Sequence, residues 1–477
     1  MAQTLIARHS ECEQIAHCVR SGRSEFIIVC GRRRIGKTFL VDSYFGGKYD
    51  FTFVGSHKAK TQIQLRRFAK ALKMVSGKTY DPFDDWYDAF GALEDYLASL
   101  PTDRKKILFI DEMPWIDTQR SAFVSALEDF WNGWANRRAD IVLIASGSAT
   151  SWMADNLISN QGGLHNRITQ RIYLKPFTLA ETEEYVRSHD CGWSRYDIVQ
   201  CYMFTGGVPY YLSLLDYNQS VSQNIDSLCF EENGALHREY DELYSALFTN
   251  AAAYIRVVET LYHHKEGMER KELTKATGMN GLFMKTVLNN LVACDFISCR
   301  QVFGKTNTMV YRLKDFYTLF YLKFIAGNHD LDNNWWTHHL AAPGVRAWEG
   351  LTFELICMEH HEQIKRALGI SGMATAASTW RSDSDAESGL PGTQVDMVID
   401  RADRIIHLCE IKFSEGTFNI SSEYERKLRE RRDLFRVKTK TRKAVVYTFV
   451  TTYGIGQGKH SGIVHSEVTM DDLFRSS

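Results

Sequence analysis

Three side chains in the last quarter of the chain have the types and spacing of a charge-handling site. The run "GTQVDMVIDRADRIIHLCEIKFS", Gly392–Ser414, is rich in strand-forming apolar residues, and among them stand Asp396, Glu410 and Lys412. Side chains on a strand alternate sides, so Glu410 and Lys412 point the same way. Two carboxylates and an ammonium among apolar neighbours are costly to desolvate unless something compensates. The compensation is either mutual pairing or a metal ion with a phosphate.

A second constellation lies near the N-terminus. In "SEFIIVCGRRRIGKTFLVDSYF" a short apolar strand pattern leads into Gly31-x4-Gly36-Lys37-Thr38 and then a helix-like run. This is the Walker A pattern in its strand–loop–helix context. Backbone N–H groups of such a loop and of the helix start face anionic phosphates. Lys37 supplies a point charge for the outer phosphates, and Thr38 a hydroxyl for Mg2+. A P-loop needs an acidic partner, and "RKKILFIDEMPWID" ends an apolar strand in Asp111-Glu112. Asp111 is expected to hold Mg2+ through water, and Glu112 to orient or deprotonate the attacking water. A third strand, "ADIVLIASGSATSWM", ends in Ser146, Gly147 and Ser148. Ser146 is the first choice for a γ-phosphate sensor and Ser148 the alternative, because one sequence leaves the register open.

The elements that must position these groups need several domains, since 477 residues exceed one ordinary domain. The 44% apolar content suffices for packed cores, and the net charge of −1 argues neither for nor against nucleic acid. No run of about eighteen apolar residues predicts a membrane span. The N-terminus lacks a secretory signal, so a cytoplasmic location is expected. The ten cysteines show neither CxxC pairs nor zinc-finger spacing and read as thiols in a reducing compartment. Strands alternating with helical stretches predict a parallel, helix-covered sheet in the first third. Between 246 and 330, three helical patterns and an alternating hairpin around "FGKTNT" describe a winged helix-turn-helix. Its "recognition" helix, about 280–294, carries Lys285 as its one basic residue. That leaves a DNA-contacting domain and an interaction module equally open. A boundary is placed near 328–345. Beyond it, "RAWEGLTFELICMEHHEQIKRALGI" reads as a helix with Glu354 inside an apolar stripe. A polar stretch, "STWRSDSDAESGLPG", separates it from a hairpin turned by "RADR". After a charged helix follows the strand "KAVVYTFVTT". Ten Lys or Arg between Arg426 and Lys443, among them Arg431 and Arg432, offer a track for a phosphate backbone.

The P-loop stretch, "FIDEMPW", "SGSATSWM", "GLHNRITQRIYLKPFTLAETEEY" and "TGGVPYYL" together resemble the archaeal-type AAA ATPases, relatives of the STAND ATPases, over roughly residues 1–330. The resemblance implies ATP as ligand, an AAA+-like core (1–175), a helical lid (176–245), the winged helix (246–330), and assembly of like subunits through the ATPase. Arg167 and Arg171 fall where the family carries arginines near the nucleotide, and Gly207-Val208-Pro209 matches the lid motif that brings Pro209 to it. Helix Glu354, strand Asp396 and Glu410-x-Lys412 resemble the PD-(D/E)xK nucleases, although Val395 stands where the name has proline. This implies a restriction-endonuclease-like α/β domain over 345–477. Asp396 and Glu410, with the Ile411 carbonyl, would ligate Mg2+ or Mn2+; Lys412 would orient the attacking water; Glu354 would touch the metal shell; Gln394 and Tyr424 would support it. The implied function is an ATP-hydrolysing protein that regulates a metal-dependent nuclease domain acting on DNA, ahead of RNA. The alternatives are an ATP-dependent signalling or assembly switch, and a DNA-binding regulator whose nuclease-like domain does not cleave.

Overall fold

A computed structural model describes residues 5–148, 150–153, 157, 164, 166–248, 250–304, 308–330, 332–382 and 392–475. Parts of "SGSATSWM" and "GLHNRIT", the tip of "FGKTNT" and most of the polar stretch before Gly392 lie outside the described residues. The chain divides into two compact units: Met1–Pro176 with Leu288–Asp295, and Phe177–Val287 with Phe296–Ser477.

The first unit is built on a parallel sheet of β1 (Glu25–Cys30), β2 (Phe51–Val54), β3 (Lys106–Asp111), β4 (Ile141–Gly147) and β5 (Gln170–Tyr173), in the order β2-β3-β4-β1-β5. The strands β1, β3 and β4 are buried along their whole length. This is why they read as continuous apolar runs: a parallel sheet is covered on both faces. Their C-terminal ends deliver Gly31, Asp111 and Ser146 to one edge of the sheet, where ligands of open α/β sheets bind. The helix α1 (Lys37–Phe45) starts directly from the glycine loop.

In the second unit, α2 (Leu179–Arg187) and α3 (Arg195–Thr205) both open on full capping boxes. Thr178 or Ser194 satisfies the third helical N–H, and Glu181 or Asp197 answers back, so both starts are written locally. Pro209 stands at the first position of the short helix Pro209–Leu212. Gly206 and Gly207 before it take positive φ, and a Cβ on Gly207 would run into the Phe177 carbonyl. Further along come α4 (Ala251–His263), α5 (Arg270–Thr277) and a three-stranded antiparallel sheet of β6 (Met268–Glu269), β7 (Ile297–Gln301) and β8 (Met309–Leu313), in the order β6-β8-β7. The helix Gly281–Ala293 is shared: Leu288 onward groups with the first unit.

The expected boundary at 328–345 is not a break. Asp226 accepts from the Trp336 and Thr337 amides, the former at 2.8 Å, and Trp336 packs edge-on against Phe324 and Trp348. Aromatic burial holds this polar-looking segment inside the second unit.

The long helix α6 (Pro343–Glu359) leads to a second, mixed sheet: β9 (Thr375–Ser382), β10 (Thr393–Arg401), β11 (Ile405–Lys412), β12 (Ala444–Thr451) and β13 (Val464–Thr469), in the order β13-β12-β11-β10-β9. The strand β9 takes in "STWRS", which the sequence places at the start of the polar stretch. Trp380 points into the core, where it meets Phe435 edge-on, and the alternating polar residues face away from it. The helix α7 (Ser422–Thr439) carries the basic run.

Candidate functional site

Two constellations form, one in each unit. In the first, Gly31 sits where a Cβ would press on the Leu174 carbonyl and the Ile35 side chain, both 2.4 Å away, so the loop is tight enough to demand glycine. Gly36 takes φ +81° just before α1, turning the chain so that successive amides face outward from the helix start. Lys37 is buried and donates to the Arg32 carbonyl at 3.1 Å. Burial lowers its pKa, while Glu112 and Asp111 oppose that. Thr38 Oγ1 donates to Asp111 Oδ2 at 2.8 Å. The loop is also braced from outside by Arg8, which donates to the Ile35 and Lys175 carbonyls.

The two serines at the end of β4 have separate tasks. The Ser146 hydroxyl donates to Asp111 Oδ1 and is fully buried. Ser148 instead holds Glu112: its hydroxyl donates to Glu112 Oε2 at 2.8 Å and its amide at 3.2 Å. Glu112 itself sits at φ +48°, ψ +47°, a left-handed conformation that costs a non-glycine residue about 1 kcal/mol. Arg167 is exposed, and Arg171 lies exposed on the edge strand β5. Pro209 belongs to the second unit.

In the second unit, α6, β10 and β11 bring Glu354, Asp396, Glu410 and Lys412 together. Met397 pairs with Cys409 across the antiparallel β10–β11 ladder, and this register puts Asp396 opposite Glu410 on one face. On the other side of β10 the register slips between Val395 and Val398, so Asp396 sits at a bulge. Bulges re-aim a side chain in this way. Glu410 is buried. It is ion-paired with Arg431, accepts from the Tyr424 hydroxyl at 2.6 Å, and lies 3.7 Å from Lys412 Nζ.

The carboxyl groups crowd one another. Burial, then Glu410, raises the Asp396 pKa to about 6. Burial, then Asp396, raises that of Glu354 to about 8. A half-buried guanidinium, Arg312 on β8, answers both; desolvation lowers its pKa while Glu354 and Asp396 raise it. Nothing near the motifs pointed to Arg312 in the sequence, because it comes from a different sheet.

The basic helix needs a correction. Arg431 was expected on an exposed nucleic-acid track, but it turns inward to neutralise Glu410. Arg426 is exposed and paired with Glu430 at 2.6 Å, whereas Arg432 is half-buried. Helical periodicity gave the charge of this run but not which arginine faces the sheet. Gln394 is exposed on β10.

Among the described residues, no three His, Cys, Asp or Glu side chains form a ready-made metal cage. The donor chemistry still suits a hard, hydrated cation: Mg2+ keeps several waters and is commonly held by one or two carboxylates. Asp396 and Glu410 can supply these; burial first and then the neighbouring carboxylate raise the Asp396 and Glu354 pKa values, and a cation beside them would oppose that. In the first unit, the glycine cradle, the buried Lys37 and the Thr38–Asp111 pair likewise suit a nucleotide phosphate with Mg2+.

Residues 5–215 match the family described as an ATPase domain predominantly from Archaea. A Methanocaldococcus jannaschii protein described as uncharacterized is 24% identical over 334 residues, covering 68% of this chain and 69% of its own. Among solved structures, the Walker-type ATPase of Pyrococcus abyssi superposes with a TM-score of 0.48 at 15% identity, covering 67% of this chain and 96% of that one. The ORC2 protein of Aeropyrum pernix, solved in ADPNP and ADP complexes, gives a TM-score of 0.42 at 12% identity, covering 75% and 96%. Among the described residues no helix is long and apolar enough to cross a membrane.

Proposed function

We propose that the chain is an ATP-hydrolysing switch that governs a metal-dependent phosphodiesterase site acting on nucleic acid, DNA ahead of RNA. One observation carries the second half of this reading. A helix and two strands converge so that Asp396, Glu410 and Lys412 share one face, with Glu354 beside them.

In the ATPase half, Lys37 and the loop amides hold the phosphates of ATP, with Thr38 and Asp111 on Mg2+. Ser146 fixes the Asp111 carboxylate by its hydrogen bond, and Ser148 aims Glu112. Glu112 accepts the proton of the attacking water. Ser148, with its hydroxyl at the Glu112 carboxylate, takes the sensing role first assigned to Ser146. Arg167 and Arg171 act on the nucleotide, and Pro209 serves as the lid contact.

In the other half, Asp396, Glu410 and the Ile411 carbonyl hold Mg2+ or Mn2+, which supplies Lewis-acid stabilisation of a phosphodiester. Lys412 orients the water, Glu354 faces the water shell of the metal, and Tyr424 keeps the Glu410 carboxylate in place. Arg426 and Arg432 draw the backbone to the site.

We read the helices and hairpin of 246–330 as a winged helix that relays rather than reads DNA. Its hairpin cations Arg300 and Lys314 both pair with Glu359 of α6, at 3.0 and 2.9 Å. The test is plasmid nicking in Mg2+ or Mn2+. Lys412→Ala is expected to abolish it while nucleotide binding is kept. Nicking at the wild-type rate would end the reading.

A further inference from the structure

A cavity of about 180 Å3 opens in the second unit between α4, β8 and α6. Its walls are largely apolar, with Leu351 and Leu355 on one side, and the side chains lining it include three cations and no acid: Lys265, Arg312 and Lys323. Lys265 and Lys323 are exposed, whereas Arg312 is half-buried. Trp348 also lines the cavity. Apolar walls edged by two exposed lysines and Arg312, with no acid among the lining side chains, are complementary to one class of molecule.

We propose that this cavity binds a small organic anion: an aryl or short alkyl group carrying a carboxylate or phosphate. An apolar cavity of roughly 150 Å3 takes benzene, so this one holds a single ring or a short chain. The anionic group meets Lys265, Lys323 and Arg312. The site stands independently of the metal reading. It bears on that reading because the ion that faces the cavity from β8, Arg312, also faces Glu354 and Asp396. An anion in the cavity competes with these carboxylates for the guanidinium.

The test is ligand-observed NMR and calorimetry on the full chain in a Lys37→Ala background, which removes phosphate binding at the glycine loop. Phenyl phosphate and hexanoate are the probes; benzyl alcohol and hexanol are the neutral controls. Saturable binding of at least one anion near 1 mM or tighter is expected, at least tenfold tighter than its neutral control. Binding of phenyl phosphate alone assigns the head group to phosphate, and of hexanoate alone to carboxylate. Arg312→Gln is expected to weaken binding at least tenfold. Leu351→Trp, which fills the cavity, is expected to abolish it, with Ala347→Trp as a second filling variant should the first not fold. Failure of both anions to saturate, equal binding of the neutral controls, or unchanged binding in a folded filling variant overturns the proposal.

Discussion

Replacing Arg431 by methionine isolates the electrostatics of the acidic site. Glu410 is almost wholly buried, and its partners are Arg431, the Tyr424 hydroxyl and, at 3.7 Å, Lys412. Removing one partner from a buried ion pair costs about 3–5 kcal/mol, because the other charge is left uncompensated. Tyr424 and Lys412 stay, which brings Arg431→Met below that range, to about 2–3 kcal/mol. Hydrogen exchange followed by mass spectrometry reads this locally. Peptides covering β10 and β11 are expected to exchange about 30- to 150-fold faster in chelator, that factor being the same energy at 1.4 kcal/mol per decade. Adding Mn2+ is expected to restore much of the protection, since a cation between Asp396 and Glu410 replaces the lost charge. The double variant Glu410→Gln/Arg431→Met is expected to recover protection without metal, because no buried charge remains to be answered. Unchanged exchange in Arg431→Met would refute the inward placement of Arg431. Loss of protection that neither Mn2+ nor the second substitution repairs would refute the charge argument.

Further outcomes are expected elsewhere. Glu112→Gln is expected to keep ATP binding and lower turnover on the order of a hundredfold or more, by a coupled phosphate-release assay. Gly207→Ala is expected to destabilise the second unit by at least about 2 kcal/mol, from the left-handed backbone and the clash with the Phe177 carbonyl, read as a lowered Tm with nucleotide binding retained. Burial, with Arg401 and His465 nearby, holds the His407 pKa down at about 4, against about 6.5 in the unfolded chain. The unfolded state therefore binds the extra proton first, and stability is lost as pH falls from 6.5 to 4, by about 2 kcal/mol once screening is allowed for. His407→Gln is expected to flatten that part of the stability–pH curve in denaturant titrations.

Much of the nucleotide site can be read from the chain because its parts are local. A buried parallel strand must be an apolar run, so "EFIIVC", "KILFID" and "IVLIASG" announce themselves, and their next residues are the chemistry. Which serine faces which acid depends on the register at the end of β4, and the sequence does not set that by itself. In the second unit, the hairpin of β10 and β11 is legible from alternation, but the bulge at Asp396 is not, since it arises from pairing with β9. The strand β9 hides because its outward face is polar. Arg312 and Arg431 hide for a different reason: each is one of many basic residues, and only tertiary packing selects which of them a buried carboxylate needs.

The central claim is that the acidic face of β10 and β11 is a metal-dependent phosphodiesterase site under the control of the nucleotide. Cleavage of labelled single- and double-stranded DNA and RNA in Mn2+, with and without ATP, tests it most directly when wild type is run beside Asp396→Ala and Glu112→Gln. The account predicts metal-dependent cuts in the wild type, none in Asp396→Ala, and an altered ATP response in Glu112→Gln. Cutting that persists in purified Asp396→Ala, or no cutting of any substrate by folded wild type with or without ATP, would contradict it.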